Sequence, residues 1–173
     1  TFNAVPNGTT PVTVTLITGA QSLLQQSYDS IKDSVYQSLV LQTRLKPYLD
    51  QIGLIVSDSG VKLDFSTVEN ALRNQATTDV IASAGDAVDL WRTLPTAIKD
   101  AGWTPLETLA RIVRNNPTPT LQSWLAGEQV HVLLNGVTNY ATASTVGEAI
   151  LGNTLADTLV GSGGNDTLVG DNG

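Results

Sequence analysis

The last 22 residues constrain this chain more than any other stretch, because from Gly152 onward Gly, Asn and Asp recur with a period of nine. Gly152-Asn153-Thr154-Leu155-Ala156-Asp157-Thr158-Leu159-Val160 is followed by Gly161-Ser162-Gly163-Gly164-Asn165-Asp166-Thr167-Leu168-Val169, and Gly170-Asp171-Asn172-Gly173 opens a third unit. Asp157 and Asp166 hold equivalent places, as do Leu159 and Leu168. The Thr-Leu-Val triplets suit short strands whose leucines point inward, and stacking such units is expected to build an apolar column. A Gly- and Asn-rich tail also suits a flexible linker, but a linker has no reason to repeat Asp-Thr-Leu-Val at a fixed spacing.

These residues resemble the RTX nonapeptide G-G-x-G-x-D-x-U-x, in which U is a large apolar residue. The second unit matches it at Gly161, Gly164, Asp166 and Leu168, with Ser162 in place of the second glycine; the first keeps Gly152, Asp157 and Leu159. Physical chemistry points the same way. Glycine reaches left-handed torsions at little steric cost, so turn carbonyls can face an ion. Calcium takes six to eight oxygens, of which a tight turn with one aspartate supplies about half and a second stacked turn the rest. The candidate metal residues are therefore Asp157 and Asp166 as acidic ligands, with Gly152, Gly161, Gly163, Gly164, Gly170, Asp171 and Asn172 completing the turns. The resemblance implies a parallel β-roll with two nonapeptides per coil, calcium as the bound ion, and type I secretion to the bacterial exterior.

Composition narrows the remaining classes. Nine basic against sixteen acidic residues give a formal charge of -7, which lacks the basic surface that nucleic-acid binding requires. The acids are 12 Asp and 4 Glu, a skew toward the side chain that suits turns and hard cations. Cysteine is absent, excluding disulfides, thiolate metal sites and cysteine nucleophiles. No apolar run approaches a membrane span, and the N-terminus lacks the plan of a signal peptide. The chain is expected to be a piece of a longer protein.

Upstream, residues 1–18 read as a linker with an edge strand over Val12 to Thr18, and residues 19–151 as a helix-rich domain ahead of truncated repeats at 152–173. Leu24, Tyr28, Ile31, Val35, Leu39, Leu45, Leu49 and Ile52 predict a long helix, kinked or broken near Lys46 by Pro47. Gly53 to Phe65 reads as a β-hairpin turning at Ser57-Asp58-Ser59-Gly60. Ser66 with Glu69 predicts a capping box, Asp79 a second cap, and Thr104-Pro105 with Glu107 a third start. Thr118-Pro119 opens a short helix, and Val130 to Leu134 reads as a strand running into Asn135-Gly136, a pair that favours a hairpin turn but also ends helices. Thr138 to Thr145 reads as a connector. The fold class expected is α+β: mostly helical, with one or two β-hairpins, followed by the start of the parallel β-roll.

Other constellations have ordinary readings. His131, the only histidine, sits in an apolar run and reads as structural or surface-facing, and no Gly-x-Ser-x-Gly elbow accompanies it. Trp91, Trp103 and Trp124 read as core. Asp86 and Asp89, or Asp58, are alternative cation ligands whose simpler reading is a solvated helix face or turn. Asn7-Gly8-Thr9 reads as a turn. The expectation is a non-catalytic, calcium-binding structural or interaction module of a large secreted bacterial protein, adhesin-like, with cell-surface or extracellular ligands as further partners. The competing class is a protease, lipase or pore-forming toxin domain fused to the same repeats.

Overall fold

The computed structural model describes residues 2–4, 12–14, 19–58, 60–99 and 101–171, and Asn7-Gly8-Thr9, like Asn172, lies outside them. The chain is α+β and divides into two compact units, residues 1–39 and 40–173.

In the first unit β1 (Phe2–Ala4) pairs antiparallel with β2 (Val12–Val14), so a strand also forms where the sequence suggested only a linker. Helix α1 (Ala20–Gln42) begins after Gly19, whose φ of 90° only glycine adopts without strain. The helical spacing is real, but Leu24, Tyr28, Ile31, Val35 and Leu39 are 51–65% exposed. Periodicity fixed the conformation of this helix and not its burial.

The second unit holds the core. Helix α1 stops at Gln42 and α2 (Lys46–Leu49) restarts with Pro47 in its first turn, where the missing N–H costs nothing. A hairpin follows, β3 (Gly53–Ser57) with β4 (Gly60–Asp64), in the expected register about its turn. Then come α3 (Ser66–Ala76), α4 (Val80–Thr93), α5 (Thr96–Lys99), α6 (Pro105–Asn115) and α7 (Pro119–Gly127). Helices α3, α4 and α6 pack on one another. The α6 stripe of Leu106, Leu109, Ile112 and Val113 is at most 2% exposed, and burying those four side chains stabilises by roughly 6–12 kcal/mol before entropy is counted.

Caps only partly follow the expectation. Asp79 accepts from the Ala82 N–H at 2.9 Å and Thr118 from Leu121 at 3.3 Å. Ser66 does not act as a cap: it lies inside α3, and its own N–H donates to Asp64 at 3.0 Å. That bond holds the exposed Asp64 carboxyl below its usual range. The shift of one residue lets Phe65 tuck inward and stack on Trp103 at 4.9 Å.

Asp86 and Asp89 also depart from the expected solvated face. Asp86 is 4% exposed, accepts from the Tyr48 hydroxyl at 2.9 Å and pairs with Arg44 Nε at 3.0 Å, while the same guanidinium reaches Asp89. Burial, then the neighbouring Asp86, pushes the Tyr48 phenol upward. An arginine, with its fixed fork of donors, satisfies both acids.

Five three-residue strands end the chain: β5 (Val130–Val132), β6 (Asn139–Ala141), β7 (Ala149–Leu151), β8 (Thr158–Val160) and β9 (Thr167–Val169). Alternate strands pair, all in parallel. One sheet has the order β5-β7-β9, and β6 pairs with β8. Asn135-Gly136 therefore makes no hairpin; β5 finds its neighbour in β7, after the chain has run through β6 on the other sheet. The reading of Thr138 to Thr145 as a connector missed β6. Val130, Val132, Ala149 and Leu151 join the helical core, on which α6 and α7 pack. Their neighbours His131, Ile150 and Leu168 share a register across the sheet, as do Tyr140 and Leu159 across the other. Ile150 is fully buried and Leu168 is 49% exposed on the final strand.

Candidate functional site

Because each strand from β5 to β8 is followed by a turn that crosses to the other sheet, the turns fall into two rows. Residues 133–138, 152–157 and 170–171 form the first row, and residues 142–148 and 161–166 the second. The three acids Glu148, Asp157 and Asp166 stand nine residues apart, each directly before a strand.

In the first row Asp157 folds back over Gly152. Its Oδ2 accepts from the Asn153 N–H at 2.5 Å, and a methyl group on Gly152 would collide with that oxygen. Its Oδ1 is buried with no hydrogen-bond partner. Asn153 is 1% exposed and ties this turn to the one before it, donating from Nδ2 to the carbonyls of Leu134 at 3.0 Å and Val137 at 2.6 Å. Gly152 N–H donates to Val169 at 2.7 Å. Gly170 is exposed and open around its Cα, and Asp171 has a φ of 52°.

Arg114, from the last turn of α6, enters this row. Its Nη1 donates to Asp171 at 2.8 Å, its Nε to the Leu133 carbonyl at 3.3 Å and its Nη2 to the Gly152 carbonyl. One guanidinium thus joins three successive turns of the row.

The second row is built by close backbone approach. Asp166 folds over Gly161 and accepts from Ser162 N–H at 3.0 Å, while its other oxygen accepts from the Glu148 N–H at 3.0 Å. Gly163 donates to the Ser144 carbonyl at 3.0 Å, and the Ser162 hydroxyl donates to the same oxygen. Gly164, at φ 93°, lies against the backbone of Val146 and Gly147, and Gly147 against Asn165, so neither site has room for a Cβ.

Glu148 is 6% exposed. Its Oε1 meets His131 Nε2 at 3.0 Å, and its Oε2 is buried without a partner. The His131 ring stacks on Tyr140 at 4.8 Å across the two sheets. Burial, and next the charge of Glu148, pushes the Tyr140 phenol upward.

The structure therefore divides the sequence-derived candidates. Gly152, Asp157, Gly170 and Asp171 lie in the first row, and Gly161, Gly163, Gly164 and Asp166 in the second. Among the described residues no three acidic or histidine side chains gather in one cluster. Sequence reasoning missed Glu148, Arg114 and Asn153, and set His131 aside. Glu148 was within reach, since Glu148-x-Ile150 stands nine residues before Asp157-x-Leu159. Arg114 carries no such signal.

The donor set fits a hard cation. It offers carboxylate and carbonyl oxygens without thiolate, and each row contains one buried carboxylate oxygen left unpaired, Asp157 Oδ1 and Glu148 Oε2. No helix among the described residues is long and apolar enough to cross a membrane.

No family model matches the chain, and no solved structure matches it. A stretch of 48 residues, 28% of this chain, is 40% identical to the iron-regulated protein FrpA of Neisseria meningitidis serogroup C. That stretch spans only 4% of the FrpA length.

Proposed function

We propose that residues 130–171 are the opening coils of a calcium-binding β-roll, and that the chain is a structural or interaction module, adhesin-like, of a large secreted bacterial protein. The observation that carries the reading is the arrangement of Glu148, Asp157 and Asp166. Each precedes a parallel strand at nine-residue spacing, and two of the three keep a buried oxygen that no protein donor satisfies. A divalent cation between stacked turns supplies the missing charge and takes its remaining ligands from turn carbonyls. The partial match to FrpA supports placing the chain within a much longer protein.

Calcium titration by calorimetry tests this. The wild-type chain is expected to bind calcium weakly, and Asp157→Ala with Asp166→Ala together to abolish the heat. Unchanged binding in the double variant would move the site away from the repeats.

A further inference from the structure

Among the described residues Arg114 is the arginine or lysine that reaches into the stacked turns, and it meets the kinds of oxygen that a hard cation would. Two carbonyl oxygens, of Leu133 and Gly152, and one carboxylate, of Asp171, face its guanidinium. The side chain is 11% exposed, so these charge-assisted bonds are largely shielded from water. The three acceptors come from three successive turns of one row, one turn more than an ion held between two stacked turns would join. In the second row Asp166 accepts from the Glu148 backbone N–H, and the basic partner of the Glu148 carboxylate among the described residues is His131, whose charge depends on protonation.

We propose that Arg114 is the resident cation of the first row: helix α6 supplies there, as part of the chain, the charge that a metal ion supplies in the second. The proposal rests on the calcium reading and refines it. The first row is assembled without calcium, the ion enters the second row first, and the helical unit acts as a cap that fixes the register of the opening coils. Because the guanidinium engages the Gly152 carbonyl and Asp171, a divalent ion competes for the first row only when Arg114 is withdrawn. Asp157, whose Oδ1 is unpaired in that row, then becomes its acidic ligand.

The test is thermal unfolding and calcium stoichiometry of the full chain and its Arg114→Ala variant, in chelator and in millimolar calcium chloride. In chelator the variant is expected to melt roughly 5–10 °C below wild type, since several charge-assisted bonds are lost. Calcium is expected to recover much of that loss and to bind with one more equivalent than in wild type, and Asp157→Asn on the same background to remove both gains. Should Arg114→Ala fail to fold, Arg114→Gln removes the charge but keeps a donor, and a smaller fall with the same calcium recovery is expected. An equal loss with and without calcium, while wild type still binds the ion, would overturn the proposal and leave the calcium reading standing. No calcium bound by either chain would overturn both.

Discussion

The two rows of turns are built from the same nine-residue unit, yet they balance their acids differently. The first row meets Asp171 and two carbonyls with Arg114, a cation delivered from a helix; the second meets Asp166 with backbone N–H groups of Glu148 and Ser162, and the Glu148 carboxylate with a histidine. Their packing differs as well. The second row brings backbone onto backbone at Gly147 and Gly164, whereas Gly170 in the first has open space about its Cα. The contrast teaches that a repeat specifies a turn geometry, and that its neighbours decide what neutralises the turn.

The largest expected effect exploits the packing difference. Gly164→Ala combines a left-handed φ with a clash against the Gly147 backbone and is expected to cost about 3 kcal/mol, while Gly170→Ala stays within about 0.5 kcal/mol. Urea unfolding of the two variants measures it, and equal losses would erase the distinction between the rows. A smaller effect concerns affinity. Appending two further nonapeptides gives each row another turn and is expected to raise calcium affinity at least tenfold, about 1.4 kcal/mol, by calorimetry. Equal affinity would mean that the turns upstream of Gly152 already complete the shell. The smallest effect is on the helices: far-ultraviolet circular dichroism in excess chelator is expected to keep its helical signal, because α3, α4 and α6 bury their stripes on one another and contain no ion ligand of the repeats. A coil spectrum that turned helical only with calcium would make the ion the organiser of the whole chain.

Much of the local structure was legible beforehand. Pro47, Asp79, Thr118 and the Ser57-to-Gly60 turn mark their elements because each acts through its own backbone or the next few residues. Legibility failed where the deciding partner is distant. Ser66 has the residue type of a cap, but burial of Phe65 against Trp103 hands that bond to Asp64. Asp86 has helical spacing with Asp89, but Arg44, more than forty residues earlier in the chain, turns it into a buried ion pair.

By itself the sequence determined the α+β composition, the positions of the breaks, and a nine-residue unit whose glycines and aspartates suit tight turns, since all of these are encoded in torsional preference and short-range periodicity. Only the tertiary structure decided that α6 carries a buried apolar face while the apolar residues at helical spacing in α1 stay exposed. It alone decided that the Glu148 N–H donates to Asp166 and that Arg114 reaches Asp171 across 57 positions of sequence. The reason is physical: periodicity sets which side of an element a residue occupies, whereas the charge or apolar surface that meets it there depends on which distant segment packs against that side.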